Sequence, residues 1–303
     1  MAAIGFPKKL GQAQRERLAH IDFRLWFLGE VSRADICLRF GVAPAGATRD
    51  LAKYREAAPG NIAFDGRTKT YRIRDSFVPV FEHPIHRVLS SLSLGFGDGI
   101  GGVEGPMVPC EFPTPINRPA TETLARVTRA IASKVVLRVV YFSASGGKST
   151  REIIPFALVD NGLRWHVRAF DRRTSSFRDF VITRILAAEV VDGDLPGTGE
   201  MPDDDAQWTR MVELELVAHP DSECPELATF DYPMVDGVLF IRVRAALAGY
   251  VLRRWNVDCS TDHRMRGPEY TLWLRDSLAL YGVESAAIAP GYRPPGNKDN
   301  PRG

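Results

Sequence analysis

The stretch that decides the fold is Gly162-Leu-Arg-Trp-His-Val-Arg-Ala-Phe-Asp-Arg-Arg173, followed closely by Phe177-Arg-Asp-Phe-Val-Ile-Thr-Arg-Ile185. Its first part alternates as a β-strand does, which predicts Leu163, Trp165 and Val167 on one face and Arg164, His166 and Arg168 on the other. Three groups that are cationic, or can become so, form a cradle for a phosphate or a carboxylate when they share a strand face. Spacing alone is equally compatible with a solvated strand face, so the neighbouring residues decide.

Those neighbours resemble the WYL domain of bacterial transcriptional regulators. Trp165-His166-Val167 stands where that family has Trp-Tyr-Leu or a close variant, and the likeness extends through Tyr141-Phe-Ser143 and Ser149-Thr-Arg-Glu-Ile-Ile-Pro-Phe-Ala-Leu158. From about residue 11 to residue 283 the chain resembles the helix-turn-helix WYL repressors encoded beside anti-phage defence operons of the BREX and CBASS kinds. The resemblance implies a DNA-binding regulator whose central domain senses an effector.

Composition and charge narrow the class of protein. At 303 residues the chain predicts two or three domains, and its apolar content of 45% is ordinary for a folded protein. Residues 1–80 hold 14 Lys/Arg against 8 Asp/Glu, whereas residues 200–231 hold ten acidic residues and one Arg. A basic N-terminal third suits a nucleic-acid contact, although a merely solvated surface has the same balance. Scattered cysteines, no long apolar run and no signal-peptide order predict a cytoplasmic protein without a disulfide framework or a membrane span.

The first 80 residues indicate a winged helix-turn-helix domain. Helical periodicity covers residues 11–30, Ser32 is a good N-cap for a helix from Arg33 to Phe40, and Pro44 opens a third helix to about Ala57. Residues 62–73 then predict a hairpin that turns at Asp65-Gly66. Three helices and a hairpin, with a tight turn between the second and third helices, is the winged-helix order.

The third helix and the hairpin supply the candidate DNA contacts. Ala47, Leu51 and Tyr54 share one helix face and are assigned to the core. The candidate DNA-binding residues are Ala45, Thr48, Arg49, Lys53, Arg67 and Lys69. Small residues at the helix start allow close approach to base edges, and the cations suit phosphates. The alternative is a helical bundle with solvated arginines.

The rest of the chain divides by composition and pattern. Residues 81–118 are expected to be a linker, because residues 95–119 contain six Gly and five Pro. Residues 119–195 hold a helix and short strands that predict a small barrel, residues 206–285 an α+β extension, and residues 286–303 a disordered tail. The predicted fold class is multidomain α+β, and the resemblance implies that the central WYL barrel is Sm-like or SH3-like.

No enzyme motif fits its context. Gly97-Asp-Gly-Ile-Gly-Gly102 has the spacing of a dinucleotide-binding loop, but prolines follow it where a helix is needed. Gly146-Gly-Lys-Ser149 mimics a phosphate-binding loop, but Phe142 stands where the first glycine belongs. His83-Pro-Ile-His86 lacks nearby carboxylate or thiolate partners, and Asp203-Asp-Asp205 indicates a solvated loop rather than a cation site. We therefore predict no catalytic residues, no metal and no cofactor.

The leading hypothesis is a ligand-responsive repressor that binds, as a homodimer, an inverted-repeat operator in double-stranded DNA. The resemblance implies an anionic effector such as single-stranded DNA, an oligonucleotide or a nucleotide. The candidate effector-binding residues, matched by position, are Tyr141, Ser143, Ser149, Arg151, His166, Arg168, Arg178 and Arg184. His166 departs from the family's tyrosine, so stacking and charge both remain open there, as does pH-dependent binding.

Other interpretations remain open at this stage. A nucleotide-processing enzyme would use the cationic strand face as its substrate site, and a single-stranded nucleic-acid adaptor would bind there without sequence preference. Arg168 and Arg184 would otherwise pair with Asp179 or Asp171 to hold the barrel together. On a late helix, Leu247, Tyr250 and Trp255 are candidates for the dimer interface, or are buried within their own module.

Overall fold

The chain divides between Pro113 and Thr114 into two units, each of which is described by itself. The computed structural model describes residues 10–96, 105–113, 116–191 and 193–295. None of the helices in these ranges is both long enough and apolar enough to cross a membrane.

The first unit is a winged helix. Its elements are α1 (Gln12–Leu28), β1 (Glu30–Val31), α2 (Arg33–Phe40), α3 (Pro44–Ala57), β2 (Ile62–Asp65) and β3 (Thr70–Ile73). Strands β2 and β3 form the predicted hairpin, and the predicted bounds of α2 and α3 are confirmed. The short strand β1, which the sequence did not predict, pairs with β3 to give the sheet order β1-β3-β2.

Capping residues explain the helix bounds. Ser32 Oγ accepts a hydrogen bond from Asp35 N at 3.2 Å, and Asp35 Oδ2 accepts one from Ser32 N at 2.7 Å, which is a capping box. Gly29 and Gly41 end α1 and α2 at φ 80° and 62°. Glycine adopts this left-handed conformation without the Cβ penalty of other residues, so the helices end there.

The core of this unit lies between α1 and α3. Leu18, Ile21 and Leu25 of α1 are fully buried, as are Ala47, Leu51 and Tyr54 of α3. The three-to-four-residue spacing of both sets places each on one helix face. The assignment of that α3 face to the core is confirmed.

A fourth helix corrects the expected linker. Helix α4 (Ile85–Leu94) lies inside residues 81–118, and its Val88 is buried. The glycines and prolines behind the linker prediction begin only at residue 95, so the apolar residues before them are free to form a helix. The Gly97–Gly102 motif lies outside the described residues.

The second unit opens with helix α5 (Thr121–Ser133) and an antiparallel sheet. The strands are β4 (Leu137–Ser143), β5 (Gly147–Asp160), β6 (Trp165–Asp171), β7 (Ser176–Val181) and β8 (Ile185–Val190), in the order β7-β6-β5-β4-β8. Val127 and Ala130 of α5 pack on the buried face of the sheet. The helix covers one face, so apolar residues on that face leave water.

The predicted small barrel, Sm-like or SH3-like, is not confirmed, because the sheet is not closed in the part of the chain that the structure describes. Among the described strands, β7 pairs only with β6 and β8 pairs only with β4, so both are edges of an open sheet. A short 3₁₀ helix, Ile182–Arg184, carries the chain from one edge to the other without forming a ladder. Register shifts at Val140/Tyr141 and Pro155/Ala157 mark irregularities of the bulge kind, which bend strands without closing the sheet.

The same unit ends in a smaller α+β module. It contains α6 (Ala206–Thr209), β9 (Met211–Ala218), α7 (Leu227–Asp231), β10 (Val238–Arg244), α8 (Ala245–Arg254) and β11 (Leu272–Leu274), with sheet order β10-β9-β11. Leu214, Leu252 and Leu272 lie in its buried core. The predicted α+β extension therefore has its own hydrophobic core.

The expected disordered tail from residue 286 is wrong for the residues described there. A 3₁₀ helix covers Glu284–Ile288, and both Ala286 and Ala289 are buried in the core of the module. A Cβ on Gly249 would lie only 1.7 Å from the Ser285 carbonyl oxygen, so this glycine lets α8 pack directly on that turn. Small apolar residues thus allow this segment to be buried, although its Pro and Gly content predicted disorder. Residues 296–303 lie outside the described residues.

Candidate functional site

Helix α3 presents a small, partly cationic face to solvent. Ala45, Thr48 and Arg49 are exposed on the side opposite its buried residues. Thr48 Oγ1 donates to the carbonyl oxygen of the first helical residue at 2.9 Å, and Lys53 Nζ donates to Gln14 Oε1 at 3.2 Å. Among the predicted contacts on this helix, Arg49 is the cation without a hydrogen bond to a described residue.

The hairpin tip carries the other two predicted contacts. Arg67 and Lys69 are both exposed in the turn between β2 and β3. Asp65 Oδ1 accepts hydrogen bonds from Arg67 N at 2.9 Å and Thr68 N at 3.4 Å, and these bonds hold the pKa of Asp65 below its usual value. The side-chain bonds of Asp65 fix the turn from which the two cations project.

A buried carboxylate fixes α3 in place. Asp22 of α1 is fully buried and accepts a hydrogen bond from Tyr54 Oη of α3. It also accepts from Val80 N at 3.2 Å and lies 2.9 Å from His83 Nε2. Because donors from α3 and from the segment after the hairpin converge on it, the carboxylate fixes the position of both relative to α1. Burial, followed by the charge of Asp22, raises the pKa of Tyr54, so this hydroxyl stays a donor.

Strand β6 does not have the solvated and apolar faces that alternation predicted. Leu163 and Trp165 are exposed, whereas His166 and Arg168 are both buried, as is Val167. The strand is covered on both faces, by the sheet core on one side and by the C-terminal module on the other. The C-terminal module covers the face of β6 that the alternation predicted to be solvated, so the observed burial is the reverse of the expected one. The two-residue alternation of a strand cannot reveal that a module distant in sequence will cover it.

Arg168 is buried, and its guanidinium bonds to two carboxylates. Its Nε and Nη2 donate to the two carboxylate oxygens of Asp205 at 2.8 and 3.1 Å, and its Nη1 donates to Asp179 Oδ1 at 3.2 Å. Tyr250 Oη of α8 donates to the other oxygen of Asp179 at 3.0 Å. These bonds join the sheet of strands β4 to β8, which we call the WYL sheet, to the C-terminal module. The structural pairing considered for Arg168 is therefore observed with Asp179, and not with Asp171.

The remaining predicted effector residues are divided among several places. Ser143 Oγ accepts a hydrogen bond from Gly146 N at 2.9 Å. Arg151 donates from Nε to Ser149 Oγ at 3.1 Å and from Nη1 to Asp171 Oδ2 at 2.6 Å. These three predicted residues line neither of the two larger cavities of the unit. Arg178 is exposed and lines, with Arg168, a cavity of about 750 Å³. The eight residues therefore do not form one pocket.

Three of them do meet at a cavity of about 550 Å³ between the sheet and α8. The predicted residues there are Tyr141, His166 and Arg184, and the cavity is also lined by Arg164, Asp179, Tyr250, Arg253 and Arg254. Arg164, Arg184, Arg253 and Arg254 make no side-chain hydrogen bond or ion pair with any residue that the structure describes. Four such guanidiniums and one carboxylate leave the cavity strongly cationic. It suits a multiply charged anion.

His166 contributes an aromatic surface to this cavity. Its ring lies 5.5 Å from the ring of Tyr250 with a 33° tilt. Burial is the main cause that lowers the pKa of His166, so the imidazole is neutral near pH 7 and is not one of the cradle's cations. The position of Tyr141 is fixed by a hydrogen bond that its Oη accepts from Val181 N at 3.3 Å. The cavity thus joins an aromatic wall to a cationic rim, as a nucleotide site requires.

Sequence reasoning missed the α8 contribution to this site. Arg253 and Arg254 lie 86 and 87 positions beyond Val167 of the WYL motif, and two adjacent arginines in a last helical turn usually offset the helix dipole. Tyr250 was considered for a dimer interface, yet its ring and hydroxyl both contact the WYL sheet. A charge count on the face of α8 would have been the available signal.

The weighed metal motifs have other partners. His83 of the His83-Pro-Ile-His86 motif contacts Asp22, and Asp205 caps α6 while it binds Arg168. No cluster of three or more His, Cys, Asp or Glu placed to hold a metal ion occurs within the described ranges.

Comparison with known families matches all three parts of the chain. Residues 13–93 match the winged helix-turn-helix domain of the BrxR transcriptional regulator, residues 122–190 match the WYL domain, and residues 211–280 match the BrxR C-terminal dimerization domain. The predicted winged-helix and WYL domains are both confirmed.

Curated relatives cover nearly the whole chain. The DNA-binding transcriptional repressor CapW of Pseudomonas aeruginosa is 30% identical over 279 residues, covering 88% of this chain and 90% of the relative. The protein of the same description from Stenotrophomonas maltophilia is 30% identical, covering 82% and 85%. That from Escherichia coli (strain KTE188) is 29% identical, covering 89% and 91%.

Proposed function

This chain belongs to the family of DNA-binding transcriptional repressors that combine a BrxR-type winged helix, a WYL domain and a BrxR-type C-terminal dimerization domain, and we propose that it represses a phage-defence operon until an anionic effector releases it. The observation that carries the DNA-binding half is the outward face of α3. Its small and cationic residues stand opposite a fully buried face, so the helix is free to enter a major groove.

The operator contacts are assigned by chemistry. Arg49 reaches a base edge or phosphate, Ala45 and Thr48 permit close approach, and Lys53 lies at the margin of the surface. Arg67 and Lys69 on the hairpin contact the neighbouring backbone or minor groove. One winged helix reads few base pairs, so two copies joined through the C-terminal domain bind the two halves of an inverted repeat.

The effector site is the 550 Å³ cavity between the sheet and α8. A nucleotide or the end of a short single strand supplies both the phosphates for the four arginines and a base for the His166–Tyr250 wall. Tyr250 and Asp179 line this cavity and also take part in the bonds that join the WYL sheet to the C-terminal domain. A ligand here therefore acts where a change can reach the dimerization domain.

The test of DNA binding is a competition gel shift with the duplex upstream of the chain's own gene. A repressor of this kind retains the duplex against an excess of scrambled duplex and against single strands. Equal affinity for native and scrambled duplexes would contradict sequence-specific repression and favour a single-strand adaptor instead. Recovery of chemically altered nucleotide after incubation would favour a nucleotide-processing enzyme.

The test of the effector site uses Arg253→Gln and Arg184→Gln, with Arg173→Gln as the control. Arg173 is an exposed arginine of the same unit that does not line the cavity. We expect both cavity variants to bind a 5′-phosphorylated oligonucleotide about tenfold more weakly than the control does, because each removes a charge-assisted contact. Unchanged affinity in both would place the effector elsewhere.

A further inference from the structure

A separate cavity of about 280 Å³ lies within the winged-helix unit, between α1 and α4. Phe23, Val88 and Phe96 form apolar walls, and His20 and Arg87 contribute polar ones. None of the candidate DNA-binding residues lines it. A ligand in it would therefore not touch the operator contacts directly.

His20 is the unusual residue of this cavity. Its side chain is only 4% exposed, and neither ring nitrogen has a hydrogen-bond partner among the described residues. The ring instead meets the edges of Phe40 and Phe96, with centroids 5.4 and 4.8 Å away. A buried polar atom without a partner has lost its hydrogen bonds to water, so a ligand that bonds to His20 restores an interaction that the described residues do not supply.

The protonation state of His20 determines which hydrogen bonds it can make to a ligand. Burial, with the nearby charges of Arg39 and Arg24, lowers its pKa to about 2. The neutral imidazole has one N–H donor and one acceptor nitrogen. It can therefore donate to a carboxylate without adding a charge of its own.

The charge and size of the cavity narrow the class of ligand further. Among the described residues that line the cavity, Arg39 and Arg87 are cationic and Glu16 is anionic, so the cations exceed the anions there. Arg39 Cζ lies 3.5 Å from the centroid of Phe96, and the rings of Phe23 and Phe96 are 5.0 Å apart. An apolar cavity of about 150 Å³ holds benzene, so this larger one has room for a single substituted ring.

We propose that the winged-helix unit binds a single-ring aromatic carboxylate in this cavity. The His20 N–H donates to a carboxylate oxygen, Arg39 and Arg87 balance the charge, and the ring packs against Phe23 and Phe96. Helix α1 also carries Asp22, which holds α3, so an occupied cavity stabilises the DNA-reading unit as a whole.

The test is calorimetric titration of the full-length protein with benzoate and salicylate. Benzyl alcohol provides a ring without the charge, and acetate provides the charge without the ring. We expect the two aromatic carboxylates to bind and to raise the melting temperature, and both comparison compounds to bind more weakly. Absence of benzoate and salicylate binding at millimolar concentration, or equal binding of acetate, would overturn the proposal.

Variants locate the binding. Arg87→Gln, at an exposed position of α4, should weaken benzoate binding by about tenfold, whereas Arg74→Gln, exposed elsewhere in the same unit, should not change it. His20→Phe should abolish it while the variant still binds operator. If His20→Phe fails to fold, the Arg87→Gln comparison alone decides. Equal affinity in Arg87→Gln and Arg74→Gln would contradict the site.

Discussion

Arg168 and Asp205 form a bidentate ion pair across 37 positions of the chain, with Nε–Oδ2 at 2.8 Å and Nη2–Oδ1 at 3.1 Å. The Arg168 side chain is 6% exposed and that of Asp205 is 2% exposed. Asp205 also accepts from Gln207 N and Trp208 N, so the same carboxylate starts α6. One pair therefore fixes both the start of the C-terminal module and its contact with β6.

Breaking that pair should destabilise the second unit. Arg168→Gln leaves Asp205 buried and without its charge partner, a change that costs about 3–5 kcal/mol. We expect a clearly lower melting temperature than in the exposed control Arg173→Gln, measured by circular dichroism. An Arg168→Gln protein that melts like the control but no longer binds the oligonucleotide would indicate that Arg168 binds the effector and does not mainly stabilise the unit.

The Asp22 network should determine the stability of the winged helix. Tyr54→Phe keeps the ring of a fully buried residue but removes the donor to Asp22, which leaves a buried carboxylate with one bond fewer. The expected loss is about 1–3 kcal/mol, seen as faster hydrogen exchange in α1 and α3. Unchanged exchange there would mean that the remaining donors to Asp22 satisfy the carboxylate alone.

Operator binding should depend more on Arg49 than on Lys53. Arg49 is exposed and free of hydrogen bonds to described residues, whereas Lys53 is half-buried and bonded to Gln14. Arg49→Ala should cost about 1–3 kcal/mol if it reads a base, or lower the salt slope by about one if it binds phosphate. Fluorescence anisotropy at several salt concentrations measures both. A larger effect from Lys53→Ala would contradict this account of the α3 surface.

Acid should destabilise the winged-helix unit through His20. The pKa of this residue is about 2 in the folded chain, lowered by burial and by Arg39 and Arg24, against 6.5 for an unperturbed histidine. Below pH 6.5 the unfolded state takes up a proton that the folded state excludes, so the contribution is complete above pH 6.5 and falls as pH falls towards 2. Between pH 7 and 5 the loss is about 2 kcal/mol.

Hydrogen exchange of the α1 amides at pH 7 and pH 5 measures this loss, after correction for intrinsic rates. His20→Phe provides the comparison, because it removes the titrating group and keeps an apolar ring. Its exchange should change less with pH than that of the parent chain. The same pH dependence in both proteins would show that other groups cause it.

The sequence predicted local elements well and distant contacts poorly. Ser32 and Pro44 mark the starts of α2 and α3 through interactions within one helical turn, so their bounds agree with the structure. The burial of Arg168 depends on Asp205, and closure of the predicted small barrel would depend on pairing between β7 and β8. Nothing in a strand's own alternation encodes either interaction.

The candidate effector site shows the same division. Tyr141, His166 and Arg184 were found from the WYL motif and do line one cavity. Arg253 and Arg254 enter it from α8, which belongs to the domain after the motif. A site completed by a second module is visible only once the chain has been folded.

The most direct test of the central claim is the operator-binding isotherm of the full-length protein at increasing concentrations of a 5′-phosphorylated single-stranded oligonucleotide. If both ligands act on one coupled equilibrium, operator affinity falls to a plateau, and saturating operator weakens oligonucleotide binding by the same factor. Operator affinity that stays constant at saturating oligonucleotide would contradict effector-triggered release.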